Sequence, residues 1–117
     1  MTGQPPLKVL VADDETLIAM LLADMLDDLG GEVVGPAYTF EDAMELAQSS
    51  DVDWAILDLN MEGQSTVPVA KVLRGRGIPF VFASGAAPES LGEELNGAGW
   101  LQKPFEFKAL ANVFNQV

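Results

Sequence analysis

The 117-residue chain contains neither cysteine nor histidine, and only six of its residues are lysine or arginine. Without histidine it cannot build a His-based metal site, a Ser-His nucleophile pair or a phosphohistidine carrier from its own side chains. Without cysteine it has no disulfide staple, and at this length it needs none: 49% hydrophobic residues are enough for a core and argue against disorder. Eighteen Asp and Glu leave a net charge of -12, which opposes contact with phosphate backbones and anionic lipid. Direct nucleic-acid and membrane partners are therefore not expected. No apolar run is long enough to span a bilayer, and no basic segment followed by an apolar core opens the chain. A cytoplasmic protein is the default expectation.

What is present is an alternation of short apolar runs with helix-period segments. Leu7 to Ala12 (LKVLVA) predicts a buried strand, and Leu17, Ile18, Leu21, Leu22, Met25 and Leu29 recur at helical spacing until Gly30 and Gly31 stop them. Glu32 to Ala37 (EVVGPA) predicts a weaker second strand, with Pro36 marking its end or an edge position. Thr39 can cap the next helix, in which Phe40, Ala43, Met44 and Ala47 share a face. Asp53 to Leu57 leads into Asp58 as a third strand. Gly63 to Thr66 is a turn-rich connection, and Pro68 suits the first turn of a helix running to about Arg74.

Pro79 to Ala83 (PFVFA) predicts a fourth strand and Trp100 to Gln102 a brief fifth. Between them, one short helix is expected, begun near Pro88 and interrupted by Gly92, in what should be the most mobile part of the chain. Phe107, Leu110, Ala111 and Phe114 give a closing amphipathic helix. Five such units imply one α/β domain over 1–117, a parallel sheet with helices on both faces, because parallel strands need right-handed crossovers. No internal repeat or linker interrupts it, and no output domain is expected after the last helix.

Ligands of open parallel sheets bind beyond the carboxyl ends of the strands. The first strand ends in Asp13, Asp14 and Glu15, the third in Asp58, the fourth in Ser84 and the fifth in Lys103. Singly, each has an ordinary explanation as a helix cap, a turn residue or a solvated lysine. Caps alone do not account for four strand ends delivering complementary groups to one edge. Carboxylates gathered there repel one another unless a hard cation binds, and Mg²⁺ suits such oxygen ligands and bridges them to phosphate. Lys103 can neutralise a phosphoryl oxygen and Ser84 can hydrogen-bond another. An aspartate among these groups can act as a nucleophile toward phosphorus, so Asp58 is the candidate phosphoryl acceptor.

Four motifs, VLVADDE around Asp13 and Asp14, AILDLNM around Asp58, FVFASG around Ser84 and KPF from Lys103, occur in this order over essentially the whole chain. Together they resemble the receiver domains of two-component response regulators. The resemblance implies a flavodoxin-like (CheY-like) doubly wound sheet of five parallel strands in the order 2-1-3-4-5. It implies phosphorylation of Asp58, and Mg²⁺ held by Asp13, Asp14, Asp58 and the backbone carbonyl of Asn60. Ser84 and Lys103 match the family's phosphoryl-binding pair, with Ser84 and Trp100 at its switch positions. Pro104 matches the proline after the lysine, where the preceding bond is often cis.

Asn60, Gly85 and Ala86 occupy positions that set access for donors and water in the family. The segment GIPFVFASG resembles the PFxFATG segment of single-domain alphaproteobacterial receivers, with Ser for Thr and no aromatic after the Gly. That group often lacks an aromatic at the switch position, where Trp100 stands here.

The implied phosphoryl donor is a sensor histidine kinase or a histidine phosphotransfer protein, and the implied consequence is a change of protein partner. The downstream target and dimerisation on phosphorylation are left open. Apart from its own phosphoryl transfer and autodephosphorylation, such a domain is not an enzyme. Two alternatives are a protein-binding pseudo-receiver and, less favoured, an aspartyl-phosphate phosphatase. The phosphatases carry their nucleophile after the first strand in a DxD motif and select substrates with a cap, whereas here the acidic pair is contiguous and the third strand carries the acceptor. A flavin or nucleotide module would want a Gly/Ser/Thr-rich loop after the first strand, where this chain has ADDE.

Overall fold

The computed structural model describes residues 6–84, 99–103 and 107–114. Five strands, β1 (Lys8–Ala12), β2 (Glu32–Ala37), β3 (Trp54–Asp58), β6 (Phe80–Ser84) and β7 (Gly99–Gln102), form one parallel sheet in the order β2-β1-β3-β6-β7. This is the order expected of the five main strands. A short antiparallel hairpin, β4 (Asn60–Met61) with β5 (Gln64–Ser65), follows β3. The helices are α1 (Thr16–Asp28), α2 (Phe40–Ser49), α3 (Val67–Gly75) and α4 (Phe107–Phe114).

Strand alternation divides the core in two. Leu10, Ala12, Ala55, Leu57 and Phe82 face one cluster, completed by Ala43 and Ala47 of α2 and Val69, Ala70 and Leu73 of α3. Val9, Val11, Trp54, Ile56 and Val81 face the other, with Ala19, Leu22 and Leu26 of α1 and Leu110 of α4. Both faces of the central strands are therefore dry, as the near-continuous apolar runs require. Trp54 meets Phe114 edge to face with centroids 6.0 Å apart, tying α4 to β3.

Local signals explain the boundaries. Thr39 caps α2 by accepting the Asp42 N–H at 3.1 Å. The α1 helix ends where Gly30 adopts φ 87, with Gly30 N–H donating to Asp27 O and Gly31 N–H to Leu26 O. The α3 helix ends the same way at Gly77. In both, the left-handed residue turns the chain back so that the last carbonyls are satisfied. Pro36 lies in β2, an edge strand.

The structure departs from the sequence expectation in three places. Leu17 and Leu21 project into solvent, 82% and 50% exposed, while Ala19, Leu22 and Leu26 face the sheet. Because nearly every position from Leu17 to Leu22 is apolar, periodicity does not single out one face, and the fit against the sheet selects the stripe. In α4, Leu110 and Phe114 pack inward with Ala109 and Val113, but Phe107 is 42% exposed. The turn-rich connection contains the β4–β5 hairpin, with Glu62 at φ 53 and Gly63 at φ 81 supplying its tip. The helix expected near Pro88 lies outside the described residues, as do Gly85, Ala86 and Pro104.

Candidate functional site

The β1–α1 turn places Asp13 and Asp14 at the sheet edge. Asp13 is 1% exposed and accepts from the Glu15 N–H at 2.9 Å and the Lys103 ammonium at 2.8 Å. It thus performs the turn role that a strand-end Asp ordinarily has while also presenting an oxygen to the site. Asp14 is partly exposed and accepts the Glu62 N–H at 2.9 Å, which ties the β1–α1 turn to the tip of the hairpin.

Asp58 ends β3 at 8% exposure. Lys103 reaches it from the end of β7, where the Lys103 N–H donates to Ser84 O at 2.7 Å and fixes the lysine beside β6. The ammonium lies 2.8 Å from Asp13, 3.4 Å from Asp58 and 3.8 Å from Glu15. Burial pushes the Asp58 carboxyl up to about 7, the Asp13 charge adds to this, and Lys103 counteracts it. On Lys103, burial pulls the ammonium down, but the hydrogen bond and charge of Asp13, with Asp58 behind them, more than offset it and hold it above its usual range.

One oxygen from each of Asp13, Asp14, Glu15 and Asp58 can be chosen so that all lie within 4.8 Å of one another. A single ammonium does not neutralise four carboxylates, and the donors are all hard oxygens, so the set suits a small divalent cation that retains waters. Asp14, Asp58, Asn60, Ser84 and Lys103 line an open cleft of about 620 Å³, with Glu15 and Ile18 at its wall. That is room for a phosphoryl group and a hydrated ion.

The structure therefore brings Asp13, Asp14, Asp58, Asn60, Ser84 and Lys103 together. Trp100 pairs through its backbone with Phe82 in the β6–β7 ladder, but its side chain, and with it the switch expectation, lies outside the described residues. Sequence reasoning passed over two groups. Glu15 was visible as a strand-end acid but had no role; its place in the cluster follows from the turn. Thr66 reads as a loop residue, yet it is fully buried and its hydroxyl donates to the Asp58 carbonyl at 2.6 Å.

Among the described residues no helix is long and apolar enough to cross a membrane. The family described as response regulator receiver domain matches residues 9–115. The chain is 36% identical over 109 residues to the transcriptional regulatory protein PdtaR of Mycobacterium tuberculosis, covering 90% of this chain and 53% of that one. It is 32% identical to the phyllosphere-induced regulator PhyR of Methylorubrum extorquens, covering 93% and 42%. The chain spans about half the length of these curated relatives.

Among solved structures, SdrG from Sphingomonas melonis superposes with a TM-score of 0.82 at 36% identity, covering 96% of each chain. Chemotaxis protein CheY4 of Vibrio cholerae superposes at 0.83 with 27% identity, covering 96% of this chain and 98% of that one. With the strand order, the acidic edge and the lysine that bridges it in place, the chain belongs to the response regulator receiver domains of two-component signalling systems, with a CheY-like fold.

Proposed function

We propose that the chain accepts a phosphoryl group on Asp58, with Mg²⁺ held by Asp13, Asp14, Asp58 and the Asn60 carbonyl, and that this changes the proteins it binds. The observation that carries the reading is the Lys103 ammonium set between the buried carboxylates of Asp13 and Asp58 at the mouth of an open acidic cleft. When bound, the cation supplies positive charge to the carboxylates and to the phosphoryl oxygens. The residues do the rest. Asp58 aims its carboxylate into the cleft as the nucleophile: its Oδ–P bond forms as the donor's P–N bond breaks. Lys103 is already between the two aspartates and has only to exchange Asp58 for a phosphoryl oxygen, and Ser84 at the end of β6 can donate to another. Burial raises the Asp58 carboxyl to about 7, which disfavours the ionised nucleophile. Positive charge brought into the cluster favours the ionised nucleophile, so cation binding and reactivity are linked.

The donor on this reading is a sensor histidine kinase or a histidine phosphotransfer protein, as membership of the receiver family implies. The partner change is a population shift between two packings of the faces flanking β6 and β7. Intact-mass measurement after incubation with acetyl phosphate and Mg²⁺ tests the chemistry. One phosphoryl group is expected on the wild type, none without Mg²⁺ and none on Asp58→Asn. Full labelling of Asp58→Asn would remove the assignment, and an inert wild type that also fails to bind a beryllofluoride mimic would favour a protein-binding pseudo-receiver.

A further inference from the structure

A threonine two residues before a helical proline, as in Ser65-Thr66-Val67-Pro68, ordinarily caps the helix with its hydroxyl. Thr66 stands at the N-cap of α3 but makes no side-chain cap. The helix start is provided for otherwise: Pro68 has no N–H to satisfy, and the Val67 N–H donates to Ser65 Oγ at 3.2 Å. The Thr66 hydroxyl turns back instead, 2.6 Å from the Asp58 carbonyl and 3.1 Å from the Leu59 carbonyl, while its N–H donates to Leu59 O at 2.9 Å. The side chain is completely buried.

Asp58 is where the sheet stops providing for the backbone on one side, because the β1–β3 pairing ends at Ala12 with Leu57. On the other side the Leu59 N–H still donates to Ala83 O at 3.1 Å. The peptide joining Asp58 to Leu59 is thus gripped at both ends, by Ala83 through its N–H and by Thr66 through its carbonyl. That peptide sets the direction of the Asp58 side chain and the path of the chain to Asn60.

We propose that Thr66 is a positioning residue for the acceptor site, its buried hydroxyl holding the Asp58–Leu59 peptide so that the Asp58 carboxylate and the Asn60 carbonyl converge on one point. The assignment rests on the phosphoryl-acceptor reading above and deepens it. Transfer to phosphorus depends on placement, and small displacements of a nucleophile cost large factors in rate.

The test compares wild type, Thr66→Val, which keeps the shape and removes the hydroxyl, and Thr66→Ser, which keeps the hydroxyl, all well below their unfolding midpoints. Two readouts are taken: the rate of phosphorylation by acetyl phosphate, and Mg²⁺ affinity from amide shifts in an NMR titration without any phosphoryl donor. Thr66→Val is expected to be phosphorylated roughly tenfold more slowly and to bind Mg²⁺ more weakly, with Thr66→Ser close to wild type on both. A folded Thr66→Val at wild-type rate and affinity overturns the assignment, as does a Thr66→Ser as impaired as Thr66→Val, which would make the methyl the determinant. If Thr66→Val does not fold, Thr66→Ala against Thr66→Ser makes the same comparison. A wild type that takes up neither Mg²⁺ nor phosphoryl overturns the phosphoryl-acceptor reading itself, and Thr66 with it.

Discussion

Each end of the sheet carries a lysine paired with aspartates at nearly the same distance. At the amino end the Lys8 ammonium lies 2.9 Å from Asp51, and the Lys8 N–H donates to Asp53 at 2.9 Å. At the carboxyl end Lys103 lies 2.8 Å from Asp13 and 3.4 Å from Asp58. The first pair stands in water, with side chains 35% and 82% exposed, and the second is enclosed, at 10%, 1% and 11%. Solvent screens the first pair, so it serves as an ordinary surface contact. Enclosure magnifies the second, because two aspartates share one ammonium where water stabilises their charges less well. Distance alone does not separate a functional cluster from a surface ion pair; burial and charge balance do.

The largest expected effect comes from removing the enclosed lysine. Lys103→Met leaves the Asp13 and Asp58 charges facing each other, and a loss of roughly 3–5 kcal/mol in metal-free protein at pH 8 is expected in urea denaturation. Because Lys103 holds the Asp58 carboxyl down, its titration, followed by carboxyl-carbon NMR, should move above 7 in the variant. No stability loss and no shift in that titration would put the two ends of the sheet on the same footing.

Next comes the pH response of Asp58. Its folded-state pKa, about 7, is raised above the ordinary carboxylate value of 3.8, so the native state holds this proton over a pH range in which the unfolded chain releases it. The stability linked to that proton is fully present below about 4, declines as the pH rises through the interval, and is gone above about 7. Asp58→Asn should therefore unfold at higher urea than wild type at pH 8, by on the order of 2–4 kcal/mol in the absence of Mg²⁺. The two should converge near pH 4. An advantage that does not change with pH would place its origin outside the titration.

Added Mg²⁺ sharpens the same contrast. It should raise the thermal midpoint of wild type at pH 8 by a few degrees, with a smaller rise for Asp58→Asn, since a ligand that binds only the folded chain stabilises it in proportion to its affinity. Equal rises would exclude Asp58 from the ligand set. The smallest effect belongs to the exposed end. Lys8→Met should leave the denaturation midpoint in moderate salt, the Mg²⁺ affinity and the phosphorylation rate within measurement error of wild type.

How much of this was legible in the sequence depended on the kind of signal. Asp13, Asp14, Asp58, Ser84 and Lys103 could be placed at one edge because each follows an apolar run, and parallel topology fixes which end of every run meets the others. Thr39 was readable as a cap because its partner is three residues away. Leu17 and Leu21 were not readable as exposed, since α1 is apolar on most of its circumference. Thr66 was not readable as a donor to the Asp58 carbonyl, because its hydroxyl could as well have capped α3.

By itself, then, the sequence determined the order of the five main strands, the absence of any histidine chemistry and the set of groups available at the sheet edge. Those are local or topological properties, carried by residue type and spacing. Tertiary structure decided that Lys103 sits between Asp13 and Asp58, that burial raises the Asp58 carboxyl, and that Thr66 turns back to the end of β3. Each depends on how far water is excluded from a point where segments distant in the chain meet, a property of the packed arrangement that no single segment carries.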